Sequence, residues 1–145
     1  EYQALSAIRF QDNQVWLHRD PSQMPKRRKV WSSWVYQAEK TAQSTRIGVS
    51  YWMNRLQNIP EDDPHFITLN PARPIRDDLV YDQNTFAHPV FDLAALRAQG
   101  QLRDMQGRNN TWFAGAYTRH GFHEDGFASA VRIVRALQDQ QVMAA

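Results

Sequence analysis

The stretch Thr111-Trp112-Phe113-Ala114-Gly115-Ala116-Tyr117-Thr118, followed by Gly121-Phe122-His123-Glu124-Asp125-Gly126, decides how this chain is read. Its first part is strand-like and ends in a glycine-containing turn, and its second part opens an amphipathic helix. Strand, turn and helix N-terminus make the simplest site for a phosphate or another electron-rich group. The first N–H groups of a helix have no internal partner, and they carry the positive end of the helix dipole. The helix is expected from Gly126 to about Gln141, with Phe127, Ala130, Val131, Val134 and Leu137 on its inward face.

Upstream, Gly107–Asn110 reads as the turn into a Thr111–Ala116 strand. Asp92 is a helix N-cap, and the helix it starts runs to about Gln106 with Leu93, Leu96 and Leu102 inward. Gly100 costs that helix about 1 kcal/mol relative to Ala. Toward the N-terminus, Leu5–Phe10 and Gln14–His18 read as short strands around an Asp12-Asn13 turn. Val30–Ala38 alternates Val30, Ser32, Trp34 and Tyr36 against Trp31, Ser33 and Val35, as a two-faced strand does. A polar turn at Glu39–Thr45 leads to a β-branched and aromatic strand at Ile47–Met53. Pro60-Glu61-Asp62-Asp63-Pro64 breaks the chain before a last short strand, His65–Leu69, and Asn70–Asp78 is a loop. The class expected is α+β, with a mostly antiparallel sheet and helices.

At 145 residues, about one domain is the prior. Apolar residues at 42%, with five Trp, seven Phe and five Tyr, mark a chain that folds. A net charge of +2 is too small to imply a polyanionic partner. Zero cysteines exclude disulfides, thiolate zinc sites and Cys nucleophiles, and suit a cytoplasmic setting. No stretch approaches the roughly 18 apolar residues of a membrane span, so none is expected. The start at Glu1, without Met and without a signal pattern, leads to the expectation of a piece of a longer protein.

The segment 111–137 resembles the C-terminal FAD-binding segment of flavin-containing amine oxidases. More narrowly, the chain is similar to the bacterial predicted NAD/FAD-binding branch of that family. Four further pieces fit in order: Val15-Trp16-Leu17-His18 with Met24-Pro25 and Arg27-Arg28; Trp31-Ser32-Ser33-Trp34; Tyr51-Trp52-Met53-Asn54-Arg55-Leu56-Gln57; and Phe86-Ala87-His88-Pro89-Val90-Phe91-Asp92. The resemblance implies a substrate-binding-domain portion over 1–106. Residues 107–145 would then be the last strand and helix of an incomplete Rossmann-like FAD domain. The glycines at 48, 100, 107, 115, 121 and 126 have the wrong spacing for G-x-G-x-x-G, so the half that grips the diphosphate is expected elsewhere.

On that resemblance the cofactor is FAD and the reaction moves a hydride from an organic substrate, amine or lipid-like, to the flavin. The chain is not expected to be active alone. Gly115 and Ala116 would approach the diphosphate or ribityl chain. Gly121 and Phe122 lead into the amides of His123, Glu124 and Asp125, which would face the pyrimidine edge of the flavin, where oriented N–H groups favour the negative charge of the reduced state. Trp34, Tyr36, Tyr51 and His88 are the candidates for a substrate pocket, and no catalytic side chain is assigned. The family pattern differs at Asp125-Gly126, where amine oxidases carry Gly-Ala, and at Ala130, where they usually carry Gly.

Plainer readings stand beside these. Glu124 and Asp125 suit helix capping. His88-Pro89 suits an ordered turn. His120-x-x-His123-Glu124 has metal-like spacing, but Gly121 interrupts it and no remote third ligand is evident, so no metal is expected. Pro25-Lys26-Arg27-Arg28-Lys29 with Trp16, Trp31, Trp34 and Trp52 could bind nucleic acid, although basic loops are usually just solvated. The main alternative is a non-catalytic ligand-binding or interaction domain that self-associates through uncovered apolar surface.

Overall fold

The computed structural model describes residues 1–40 and 45–143, so residues 41–44 of the expected polar turn lie outside the described residues. The order of elements is α1 (Tyr2–Ser6), β1 (Phe10–His18), β2 (Trp34–Lys40), β3 (Thr45–Trp52), α2 (Met53–Leu56), β4 (Phe66–Leu69), β5 (Val80–Pro89), α3 (Leu93–Met105) and α4 (His123–Met143), with short 3₁₀ turns between. The five strands form one sheet in the order β2-β3-β4-β1-β5, antiparallel throughout the β2-β3-β4-β1 pairings. The class is α+β. The chain separates into two compact units, residues 12–86 and residues 1–11 with 87–145.

In the 12–86 unit the pairing register sorts side chains into cross-strand rows. Val35, Ser50, Thr68 and Trp16 form one row on the inner face, and Trp52, Phe66 and His18 form the next. Met24, Trp52 and Phe66 are buried there, with Trp31 and Val35 packed against them. Trp31 meets both Trp52 and Phe66 edge-on, with ring centroids 5.2 and 5.7 Å away. Edge-to-face contact suits the ring quadrupoles. Its indole N–H donates to the Pro25 carbonyl at 2.7 Å. Trp31 is therefore a core residue of the loop, and β2 starts only at Trp34, later than the expected Val30.

The buried polar groups of this unit form a chain. His18 Nδ1 accepts from the Asp20 N–H at 3.1 Å, which leaves Nε2 to donate to Thr68 Oγ1 at 2.8 Å. Thr68 passes the sequence to Ser50 Oγ at 2.8 Å, and Ser50 reaches the Gln23 carbonyl at 3.3 Å. Burial pushes His18 down to about 4, partly offset by the Asp20 charge. For Asp20 burial acts the other way, but N–H donors from Ser22 and Arg76 outweigh it and hold the carboxyl below its ordinary value. Among the described residues no buried side-chain nitrogen or oxygen is left without a partner.

The other unit is helical. Ala4 and Ile8 bury against Ala95, Ala98 and Leu102 of α3. Ala4 lies on α1 and Ile8 just past its C-cap Ala7, so the expected Leu5–Phe10 strand gives way to the end of α1 and the bend after it, with only Phe10 in a strand. Asp12-Asn13 is likewise no turn: it lies within β1, which runs unbroken from Phe10. Asp92 caps α3 as expected, its carboxylate accepting from the Ala95 N–H at 2.9 Å and pairing with Arg9 at 2.7 Å. Those two contacts, the cap first, hold the Asp92 carboxyl below its ordinary value. The inward face of α3 is Ala95, Ala98 and Leu102; Leu93 and Leu96 are exposed. Small alanines let the short α1 come close, which bulky leucines would prevent.

Candidate functional site

The expected Thr111–Ala116 strand is not part of any sheet among the described residues. A strand needs a neighbour for its N–H and C=O groups, and here side chains take that place. The Gln106 carboxamide accepts from the Phe113 N–H at 2.9 Å and donates to the Phe113 carbonyl at 2.8 Å. The Gly115 N–H donates to Ser129 Oγ at 2.9 Å, and Ser129 donates to the Gly126 carbonyl at 2.6 Å.

The turn that follows does carry the expected glycine conformations. Gly115 has φ 148° and Gly121 has φ 92°, values an L side chain rarely adopts. A Cβ at Gly115 would stand 2.5 Å from the Tyr117 ring, and one at Gly121 would stand 2.8 Å from Phe91. Ala116–Thr118 forms a 3₁₀ turn, and α4 starts at His123, three residues before the expected Gly126. Burial raises the Tyr117 hydroxyl above its ordinary value.

Asp125 closes the loop onto the helix. One carboxylate oxygen accepts from the His120 N–H at 3.3 Å and the Phe122 N–H at 3.1 Å. The other lies 3.7 Å from Arg119 Nε and 3.8 Å from His120 Nδ1. An acid in the first turn accepting from the N–H just before the helix is the back half of a capping box, which is the plainer of the two sequence readings. The Asp125 N–H donates to the Phe122 carbonyl, so it is spent inside the protein. That leaves the His123 and Glu124 amides, at the first two helical positions, without an intrahelical acceptor. Phe122, His123 and Glu124 are exposed. His120 precedes the helix that His123 opens, which breaks the metal-like spacing. Among the described residues no group of three or more His, Asp or Glu side chains is placed to hold a metal ion.

The pocket candidates divide. Trp34, Tyr36 and Tyr51 share the outer sheet face: Trp34 sits opposite Tyr51, which in turn is opposite Ile67, and Tyr36 sits opposite Val49, which in turn is opposite Leu69. Trp34 and Tyr51 meet edge-on at 5.9 Å. Burial, with Tyr36 adding, raises the Tyr51 hydroxyl. Trp34, Tyr36 and Ile47 are exposed, so this apolar face is open. His88 lies on β5 in the other unit. The basic loop is partly structural, because Arg28 lies over the Trp31 and Trp52 rings at 5.3 and 5.7 Å and pairs with Glu61 at 2.8 Å.

A cleft of about 610 Å³ opens between α3 and α4. Leu102, Trp112, Phe113, Ile133 and Ala136 form its apolar wall, and Arg103, Arg119, His120 and Arg132 its basic rim. None of Gly115, Ala116 or Gly121–Asp125 lines it. The sequence carries no local sign of this cleft, because Arg103 and Arg132 come to it from two helices distant in the chain.

No known protein family and no curated protein matches this chain. Among the described residues no helix is long and apolar enough to cross a membrane.

Proposed function

We propose that the chain is the substrate-domain and C-terminal flavin-contact portion of an FAD-dependent, amine-oxidase-like oxidoreductase. The reaction is hydride transfer from an organic substrate, amine or lipid-like, to FAD, and the chain is inactive without the half that grips the diphosphate. The observation that carries the reading is the orientation of α4. Phe127 is 68% exposed, Val134 52% and Leu137 41%, while the polar Ser129 is buried. An apolar helix face turned to water, beside a strand-like segment whose Phe113 and Gly115 N–H groups bond to side chains rather than to a neighbouring strand, is what a missing sheet and its helices would cover.

Within this reading the chain's own groups have limited tasks. The His123 and Glu124 amides would point the helix dipole at the electron-rich edge of the cofactor. Asp125 holds those amides in place through its bonds to His120 and Phe122. Gly115 and Gly121 let the backbone turn where a side chain could not. Flavin, when bound, supplies the hydride-accepting chemistry. The open face of Trp34, Tyr36 and Tyr51 suits an apolar or aromatic substrate body.

The test is FAD titration, read by quenching of flavin fluorescence, on this chain and in parallel on the product of the complete reading frame. Binding by the longer product, with weak or no binding by this chain, supports the reading. Absence of binding in both sinks it. The second reading, a self-associating interaction domain, is favoured by the same exposed α4 face and by the open sheet face. Sedimentation of the chain over a concentration series separates the two: a stable dimer that ignores FAD supports the interaction domain.

A further inference from the structure

We infer that the cleft between α3 and α4 binds an amphipathic anion, a small ligand with an aliphatic or aromatic body and one anionic head. The inference stands apart from the flavin reading, whose expected contact residues lie off this cleft.

The neutral polar groups of the lining, the Trp112 indole N–H apart, are already engaged within the protein. Gln99 donates to the Tyr117 carbonyl at 3.0 Å, and also to the Arg119 carbonyl at 2.5 Å. Gln106 is held at both ends by Phe113. Thr118 donates to the Gly115 carbonyl at 2.8 Å, and Ser129 is bonded to Gly115 and Gly126. Beside that indole N–H, the donors left for a ligand are the basic side chains of the rim. Among the described residues neither the Arg103 nor the Arg132 side chain makes a hydrogen bond or an ion pair, and they reach the cleft from different helices. Arg119 and His120 share one buried carboxylate, Asp125, at 3.7 and 3.8 Å, beyond direct hydrogen bonding. No acidic side chain lines the cleft.

The rest of the lining is largely apolar, and Leu102 within it is almost fully buried. Guanidinium groups bind carboxylate and phosphate oxygens in a planar fork and are weakly hydrated for cations, so they suit a half-open apolar cleft better than lysines would. A volume of about 610 Å³ takes a body of drug size. A bare inorganic anion would leave the apolar wall wet. A neutral hydrocarbon would leave the guanidinium groups unpaired.

The test uses the full chain and follows the Trp112 indole N–H and the α3 and α4 amides by nitrogen-correlated NMR. Three probes are compared: octyl phosphate below its micelle concentration, octanol, and inorganic phosphate. Octyl phosphate is expected to shift the Trp112 signal saturably, and to bind roughly tenfold or more tightly than either half-probe, the scale of one charge-assisted contact. Added salt should weaken it. The double variant Arg103→Gln/Arg132→Gln, both positions exposed, should bind octyl phosphate no better than octanol while its thermal midpoint stays put. Equal binding of octanol and octyl phosphate, unchanged binding by the double variant, or shifts confined to the sheet face around Trp34 would each overturn the inference. If the variant proves unstable, the salt dependence and the three-probe ranking on the unaltered chain decide it.

Discussion

The two units solve the same problem in opposite ways. In residues 12–86 one sheet face is closed by the chain's own loop, with Phe66 fully buried and the His18–Thr68–Ser50 polar chain satisfied beneath it. In the helical unit α4 turns its polar Ser129 inward and displays Phe127 and Val134. A helix of that polarity gains little from burial against its own chain, because most hydrophobic stabilisation comes from apolar area removed from water. The comparison places a closed inner core in the sheet unit and an open apolar face on α4.

The sharpest way to break this comparison is Phe66→Ala. Phe66 is 0% exposed and packs against Trp31 and His18, so the loss should be about 4 kcal/mol, read by chemical denaturation followed through tryptophan fluorescence. A loss under about 1 kcal/mol would mean that the sheet core is not what holds that unit.

The next largest effect is one of pH. His18 is held near 4 in the folded chain against an ordinary value of 6.5, so it folds as the neutral ring. Its contribution is complete above 6.5, shrinks as pH falls from 6.5 toward 4, and changes no further below that. The whole window is worth roughly 3 kcal/mol. Stability measured across it should fall toward acid, and His18→Gln should flatten the slope while lowering stability at neutral pH.

Gln106→Ala removes both braces on Phe113 and should cost about 2 kcal/mol, visible as faster amide exchange at Phe113 and Gly115. Gly100→Ala works in the other direction. A Cβ there meets nothing within 4 Å, so the helical unit should gain about 0.5–1 kcal/mol in thermal or chemical unfolding. The smallest effect on folding belongs to Phe127→Ser with Val134→Ser, at about 0.5 kcal/mol or less, since both are exposed. The same pair should abolish any self-association seen by sedimentation. A large destabilisation would show that the Phe127 and Val134 face of α4 is packed against something within the chain.

Much of the sheet was legible in the sequence. Strand alternation in 34–38, 47–52 and 66–69 is local, and the Asp92 cap is local too. What stayed illegible depends on neighbours. β5 is exposed along most of its length, so its Val80–Pro89 run has no inside and outside to alternate between. Periodicity shows that α4 has an apolar face, but not whether anything covers it. The 111–116 segment has strand composition and lacks a strand to pair with, and composition alone cannot reveal that. In the site, the glycine turn and the Asp125 cap could be read from adjacent residues. The basic rim of the cleft could not, because it is assembled from α3, α4 and the turn between.

One consequence follows from the Gln106 carboxamide. It offers Phe113 one donor and one acceptor, the same pair that a backbone peptide presents. An incoming strand could therefore take its place by exchanging amide for amide, with no backbone group stranded in passing. Gln106 thus satisfies both Phe113 backbone groups, and the segment at that point is not an open, sticky edge.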